Sequence, residues 1–243
     1  MSDKFRYLGL RNIITAIGLK KLLKPIYNKL IVKPLHKRKV KRFQKEALPV
    51  LTHFDKVMTD NGFRYSLIFG SLLGAVREKG FLKHDDDIDV AMWNTQWSPR
   101  IKKGLEDSGF RLVHTFLVDD GKAGREETYI YKNVQIDIFY FYDAIEQYPY
   151  TCVFGYAPNT YSHAENMAKY GGCPVMRYQM PFSDKFEYVP FETIKLPIPL
   201  QAREALACTY GEDYMTPKPD WIGGSYKKYR TDWDGKKGIY TEY

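Results

Sequence analysis

One stretch, which joins a glycine-serine turn to a dense group of carboxylates, constrains this chain most. The segment Phe69-Gly70-Ser71-Leu72-Leu73-Gly74-Ala75-Val76-Arg77 is followed, after a short loop, by Asp85-Asp86-Asp87-Ile88-Asp89-Val90. Carboxylates flanked by apolar Ile88 and Val90 are costly to hold near a core unless a cation compensates their charge. The sequence therefore predicts a site for a divalent metal ion that carries a phosphate.

The alternation of side chains along a strand gives this site its predicted ligands. Asp87 and Asp89 emerge from one face of a strand, while the apolar residues between and after them point to the other. Asp137 has the same setting, between Ile136 and Ile138. If the two strands are neighbours, three carboxylates converge, and their hard oxygen atoms suit Mg²⁺ or Mn²⁺.

Two other interpretations of the acidic run are available. An EF-hand loop also begins Asp-x-Asp-x-Asp, but it needs glycine at its sixth position and glutamate at its twelfth, where this chain has Val90 and Gln96. The EF-hand is therefore excluded. A solvated acidic loop is the alternative for the run taken by itself, and the upstream Gly70-Ser71 turn and the downstream Asp137 argue against it.

The glycine-serine turn has the features of a phosphate site. Gly70 and Ser71 lie between a predicted strand, 63–69, and a predicted short helix, 72–78. Backbone N–H groups and a hydroxyl at a helix start attract phosphate. Arg77, farther along the helix, is a candidate for a bidentate phosphate contact. A surface ion pair with Glu78 is the alternative role for Arg77.

The remaining periodicity predicts an α/β (α+β) fold. Residues 43–61 have helical periodicity, with Pro49 expected to bend the helix or to start a second one. Lys132-Asn133 is expected to join two strands as a hairpin. The stretch from Tyr148 to about Lys185 has no clear period and is predicted to form loops and short helices. A helix follows at 200–210, and the tail from Asp220 is expected to pack on the body or close over a ligand.

The charge is unevenly distributed along the chain. Residues 1–45 hold 14 basic residues and one acidic residue, a net charge of +13, whereas residues 46–243 hold 23 basic and 28 acidic residues, a net charge of −5. We predict two parts: a basic, amphipathic helical arm at 1–45 and a catalytic domain at 46–243. The arm is expected to lie on an anionic membrane, or else to be a packed first helix with a solvated basic face. The body is not expected to bind nucleic acid.

The location of the protein is predicted from two further features. Cys152, Cys173 and Cys208 lack the spacing of a zinc cluster and are odd in number, which favours a reducing compartment. No uninterrupted signal-peptide core and no run of about 18 apolar residues is present. We therefore expect a cytoplasmic protein that is peripheral on the inner face of the cell membrane.

The combination of a Gly-Ser turn, a paired-Asp strand and a third acidic strand resembles the nucleotidyltransferase superfamily. More narrowly, the 70–77 motif, Gly80-Phe81 and the 85–89 motif are similar to the LicD family, to which the fukutin-related transferases are similar. Tyr210-Gly211-Glu212-Asp213-Tyr214-Met215 resembles the C-terminal block of that family. The resemblance implies a mixed sheet flanked by helices.

The same resemblance implies a function and assigns residues to it. The family moves a phosphorylated small alcohol, such as phosphocholine or a ribitol or glycerol phosphate, from a CDP-linked donor to a glycan hydroxyl. By motif position, Asp87, Asp89 and Asp137 match the metal-binding carboxylates, and Asp85 matches a further acidic position. Lys83-His84 stands where the family often has Pro-Trp. The alternatives are nucleotidyl transfer from a nucleoside triphosphate and a noncatalytic membrane or nucleic-acid adaptor.

Overall fold

The first described helix contributes several buried side chains to the core. A computed structural model describes Leu30 and residues 33–145, 147–160, 162–217 and 228–243. In it, α1 (Lys33–Asp60) contains Pro49 in its interior, so no second helix starts there; the bend at Pro49 stays a prediction. Proline removes one backbone hydrogen bond, but the flanking Val50 and Phe54 are fully buried, and Phe54 packs edge-on against Tyr65. This packing holds the helix continuous.

The chain divides into two units, Met1–Arg42 and Phe43–Tyr243. The second unit contains the sheet and the candidate site. Most of the predicted arm at 1–45 lies outside the described residues, so the boundary at residue 45 stays a prediction. No helix within the described ranges is long and apolar enough to cross a bilayer.

A mixed sheet is the centre of the second unit, which confirms the predicted fold class. The described residues form eight strands of one sheet in the order β1-β2-β5-β4-β3-β10-β7-β6, and a separate β8-β9 hairpin. The strands are β1 (Ser66–Leu67), β2 (Ile88–Trp93), β3 (Arg111–Val118), β4 (Gly124–Tyr131), β5 (Val134–Phe141), β6 (Tyr150–Phe154), β7 (Cys173–Gln179), β8 (Phe186–Phe191), β9 (Ile194–Pro199) and β10 (Arg230–Glu242).

Four further α-helices accompany the sheet in the part of the chain that the structure describes: α2 (Phe69–Arg77), α3 (Pro99–Asp107), α4 (His163–Tyr170) and α5 (Ala202–Tyr210). Ser98 caps the start of α3, since its hydroxyl accepts the backbone N–H of Arg100. The β4-β5 hairpin forms as predicted, because Lys132 and Asn133 both take positive φ angles, 46° and 64°. Such angles match the twist of a two-residue hairpin turn.

The strand pairing that matters most for the site is β2 with β5. They run parallel, with Asp89 paired with Asp137 and Ile88 paired with Ile136. Every other described pair in the large sheet is antiparallel. The predicted condition for carboxylate convergence, neighbouring strands, is therefore met.

The region from Tyr148 to Lys185 agrees only in part with the prediction of loops and short helices. It contains the short helix α4, as predicted, but also two strands, β6 and β7, on either side of that helix. In β6, Thr151 and Cys152 are both fully buried, so successive residues on both faces of the strand lack solvent contact. A strand covered on both faces shows no polar-apolar alternation, which is why no period was visible. The tail likewise enters the sheet, as β10 between β3 and β7.

The strand before α2 is shorter than predicted, and the junction between the strand and α2 is strained. The strand before it is only Ser66–Leu67, and Phe69 begins the helix with a φ of 45°. A positive φ is unfavourable for an aromatic residue. The ring of Phe69 packs edge-on against Phe139 and Tyr178, at centroid distances of 4.9 and 5.7 Å. These contacts hold the junction that presents Gly70.

The second glycine of the motif is required by close packing. A Cβ atom on Gly74 would lie 2.4 Å from the carbonyl oxygen of Gly80, which is a backbone atom and cannot rotate away. The loop that carries Asp85 begins at this contact. Gly74 therefore fixes how closely α2 approaches the acidic loop.

We expect Gly74→Ala to lower the free energy of unfolding by about 1–3 kcal/mol, the usual effect of overpacking. Thermal unfolding measures the change. Gly104→Ala is the matched control, because a Cβ there meets only the Asn61 side chain at 3.4 Å. Alanine at this helical position should leave stability unchanged or raise it. Equal stability of the two variants would contradict the assignment.

Candidate functional site

Two carboxylates from neighbouring strands form the base of the site. Asp89 and Asp137 are direct register partners on β2 and β5, so their side chains leave the same face of the sheet. Asp137 is buried. Its Oδ1 accepts a hydrogen bond from the Thr128 hydroxyl at 2.5 Å, and its Oδ2 accepts one from the Gln135 amide at 2.9 Å. The orientation of Asp137 is therefore fixed by protein groups.

The glycine-serine turn is tied to Asp89 by two reciprocal hydrogen bonds. The backbone N–H of Gly70 donates to Oδ2 of Asp89 at 3.2 Å, and the backbone N–H of Asp89 donates to the Ser71 hydroxyl at 2.9 Å. Ser71 is 1% exposed. The contact found for Ser71 is thus with strand β2, and its predicted contact with phosphate stays a prediction. Gly70 faces the cavity described below.

Asp85 lies in the loop between α2 and β2. Its Oδ2 accepts the backbone N–H of Leu82 at 2.8 Å, and its own N–H donates to the Leu82 carbonyl at 3.1 Å. Burial raises the pKa of Asp85 to about 7, opposed by the Leu82 N–H and reinforced by the charges of Asp87 and Asp86. Asp85 is therefore a carboxyl group that exchanges its proton near neutral pH.

The electrostatics of the site are dominated by like charges. Burial raises the pKa of Asp89 well above its usual range, and the charges of Asp87 and Asp137 add to the rise. Asp87, directly before β2, is thus close enough to repel Asp89. Because like charges at reduced dielectric destabilise one another, the predicted residues Asp85, Asp87, Asp89 and Asp137 form one electrostatic group.

Glu126 is a member of this group that sequence reasoning missed. It lies on β4 opposite Phe139, two residues before Thr128, and therefore on the face that carries Asp137. Burial raises the pKa of Glu126 well above its usual range, with Asp137 and Asp87 adding to the rise. Its neighbour Glu127 turns to the other face, where it accepts hydrogen bonds from Trp97 and Tyr129. The alternation of side chains along β4 therefore places the two glutamates on opposite faces of the sheet.

A cavity of about 870 Å³ opens beside the carboxylates. Its size is in the range of sites for nucleotide-sized ligands. Polar and charged residues line one part of it, and apolar and aromatic side chains line the rest. The charged members are Arg77, Asp85, Asp86, Asp89 and Arg230, and the others include Phe69, Gly70, His84, Phe139, Met176, Tyr178, Tyr210 and Tyr214.

The guanidinium of Arg77 is held at the cavity by two neighbours. It lines the cavity, and its Nη1 donates to the carbonyl of Tyr214 at 3.3 Å. Its Nε also donates to Glu78 at 3.0 Å. The ion pair with Glu78 that was considered from the sequence is therefore present, and the predicted phosphate contact stays a prediction. The Tyr214 contact gives a structural reason for the C-terminal block, which holds this guanidinium in place.

The carboxylates are the ligand type that a hard cation prefers, but their side chains are not arranged around one point as in a metal site. Within the described ranges, no three His, Cys, Asp or Glu side chains lie close enough together to hold a metal ion. Burial, together with the charges of Asp87 and Asp137, raises the pKa of Asp89, and a divalent cation would relieve the repulsion among these charges. The oxygen atoms of Asp87, Asp89 and Asp137 match Mg²⁺ or Mn²⁺ in ligand type, although the three side chains are not gathered around one point.

Comparison with known proteins assigns the fold to a family. Residues 62–201 match the LicD/FKTN/FKRP nucleotidyltransferase domain, so this chain belongs to that family. The matched range contains the Gly-Ser turn, the acidic loop, β2, β4 and β5. The resemblance noted from the motifs is thereby confirmed.

Among curated relatives, ribitol-5-phosphate transferase FKTN of Mus musculus is 26% identical over 183 residues, covering 74% of this chain and 35% of FKTN. The Homo sapiens protein of the same name is 24% identical over 186 residues. Lipopolysaccharide cholinephosphotransferase LicD of Haemophilus influenzae is 38% identical over 61 residues, 25% of this chain and 23% of LicD. The chain thus spans about a third of the length of the FKTN relatives.

The repulsion at Asp89 predicts a stabilising substitution. Without added metal, Asp89→Asn should raise the melting temperature by about 2–4 °C, because a neutral amide is less costly at this position. The gain should grow as the pH rises and shrink as the pH falls, since the wild-type carboxyl group is then protonated as well. Thermal unfolding between pH 5 and pH 8 measures it. Asp143→Asn, at an exposed position, is the control. An equal rise in the melting temperature of that variant would contradict the explanation by repulsion at Asp89.

Proposed function

We propose that this protein is a metal-dependent transferase that moves a phosphorylated small alcohol from a CDP-linked donor to a hydroxyl group of a cell-surface glycan. The alcohol is choline or a polyol such as ribitol or glycerol; the glycan is a lipopolysaccharide, a capsule or a teichoic acid. The observation that carries the proposal is the register pairing of Asp89 with Asp137 beside the Gly70 turn and a nucleotide-sized cavity.

The reactions named for the relatives support the chemical class. FKTN is named as a ribitol-5-phosphate transferase and LicD as a lipopolysaccharide cholinephosphotransferase. Both names describe transfer of a phosphorylated alcohol. In the proposed reaction the acceptor hydroxyl attacks the phosphorus that bears the alcohol, its proton passes to a base, and CMP leaves.

The chain's own residues divide the work of binding. Asp87, Asp89 and Asp137 would hold Mg²⁺ or Mn²⁺, which when bound neutralises charge on the donor diphosphate. The Gly70 N–H holds Asp89 in place, and Thr128 and Gln135 hold Asp137. Arg77 reaches the same cavity and supplies a fixed positive charge for phosphate oxygens.

Two carboxyl groups, Asp85 and Asp137, are candidates for the base that accepts the hydroxyl proton. Both oxygens of Asp137 already accept hydrogen bonds. Asp85 lines the cavity and has a pKa raised to about 7. Because a base works best when its pKa is near the working pH, we assign this role to Asp85.

The donor can be tested with purified protein and Mg²⁺. We expect release of CMP from one of CDP-choline, CDP-ribitol or CDP-glycerol when a glycan acceptor is present, measured by mass spectrometry. Asp87→Ala, Asp89→Ala and Asp137→Ala should each lower turnover by about 100-fold or more, because the site loses charge stabilisation. Asp143→Ala is the control at an exposed position.

Three outcomes would contradict the proposal. Turnover that survives all three substitutions would remove the metal-site assignment. Pyrophosphate release from CTP or ATP would show ordinary nucleotidyl transfer. A protein that consumes no donor but binds liposomes or RNA tightly and in a salt-sensitive way would be a noncatalytic adaptor.

Metal binding has a readout that does not depend on activity. Millimolar Mg²⁺ should raise the melting temperature of the wild-type protein, because a ligand that binds only the folded state stabilises it. Asp89→Asn should lose this increase while keeping its higher stability without metal. An identical Mg²⁺ response in both proteins would place the ion elsewhere.

We further propose that the protein is cytoplasmic and peripheral on the inner face of the membrane, held by the basic arm. Deletion of Met1 to Val32 should weaken binding to vesicles that contain anionic lipid, because each basic residue near such a surface contributes about 1 kcal/mol. The deletion stops before α1, since Phe43 within it is buried. Flotation with neutral vesicles is the control; unchanged binding to anionic vesicles would contradict the role.

A further inference from the structure

The part of the chain after the family match builds one wall of the cavity. The match ends at residue 201, yet six described residues beyond it line the same cavity as Gly70 and Asp89: Thr209, Tyr210, Tyr214, Thr216, Pro217 and Arg230. Burial raises the pKa of Tyr210, and the charges of Asp89 and Asp85 add to the rise. Tyr210 in this C-terminal wall therefore lies close enough to Asp89 and Asp85 for their charges to affect it.

Arg230 is the cation of this wall. It is the first residue of β10 and the register partner of Tyr178 on β7, another residue that lines the cavity. The backbone next to it is fixed, because the N–H of Gln179 donates to the carbonyl of Tyr229 at 2.9 Å. Pairing with β7 thus holds Arg230 at the cavity.

The charge of Arg230 is only weakly compensated by Asp232. The Nη2 of Arg230 lies 3.6 Å from Oδ1 of Asp232, and the two side chains are 17% and 74% exposed. An ion pair in which one partner lies mostly in water contributes little free energy to the folded structure. Asp232 therefore adds little to the positioning of Arg230, which comes from the pairing of β10 with β7.

A second guanidinium reaches the same cavity from a different element. Arg77 arrives from α2, with its Nη1 bonded to the carbonyl of Tyr214. The cavity thus has two arginines in addition to Asp85, Asp86 and Asp89. Carboxylates alone would repel a diphosphate, and planar guanidinium groups bind phosphate oxygens in pairs of hydrogen bonds.

We propose that Arg230 binds the diphosphate of the nucleotide donor together with Arg77, so that the C-terminal strand β10 completes the donor site. This inference rests on the proposed function and names a residue for it outside the matched domain. It also predicts that the matched range by itself lacks one of the two phosphate-binding cations.

Calorimetric titration in Mg²⁺ with CDP and with cytidine tests this role. Arg230→Ala should weaken CDP binding by about 10- to 100-fold, the effect of losing hydrogen bonds to a charged group. Cytidine binding should change less than about twofold, because cytidine has no phosphate to contact. Arg230→Lys keeps the charge and should be intermediate. Arg203→Ala, on α5 and exposed, is the matched control.

Each outcome decides between specific conclusions. If Arg230→Ala weakens CDP and cytidine equally, Arg230 shapes the wall and does not bind phosphate. If the wild type turns over a CDP-linked donor and both Arg230 variants bind CDP normally, this inference alone is overturned. If CDP binding depends on Arg230 but no CDP-linked donor is consumed, the inference stands and the proposed function fails. A wild type that binds no CDP overturns both.

Discussion

Carboxylates held close together on adjacent strands repel one another, and the structure around the site must offset the free-energy cost of this repulsion. Parallel pairing of β2 and β5 places Asp89 beside Asp137, and the surrounding protein raises the pKa of Asp89 because the charged form is poorly solvated there. Other parts of the structure must provide the free energy that offsets this cost. It comes from the core of α1 and the central strands, in which Val50, Phe54, Ile88, Val90 and Ile138 are fully buried.

The elements near the carboxylates share the task of limiting that cost. The Gly70 N–H donates to Asp89, Thr128 and Gln135 donate to Asp137, and the Leu82 N–H donates to Asp85. Backbone and amide donors stabilise a carboxylate without cancelling its charge. The proposed donor, a nucleotide diphosphate with its metal ion, would complement these carboxylates and the two arginines, Arg77 and Arg230, that line the same cavity.

The structure also separates two kinds of residue within one motif. Gly74 permits the contact of α2 with the Gly80 carbonyl, and Ser71 binds the backbone of β2, so both contribute to the shape of the site. Gly70 and Arg77 face the cavity itself. Motif membership alone does not distinguish these roles, because the spacing along α2 is the same whether a side chain meets the protein or a ligand.

The sequence by itself determined the local features: the hairpin at Lys132-Asn133, the strand alternation that separates Asp89 from the buried Ile88 and Val90, and the motifs of the family. These follow from the conformational preferences of a few neighbouring residues. Only the tertiary structure decided that β2 and β5 are neighbours in this register, that Glu126 faces the carboxylates, and that β10 brings Arg230 to the cavity. Strand order and burial on both faces depend on contacts between residues far apart in the chain, and no local period records them.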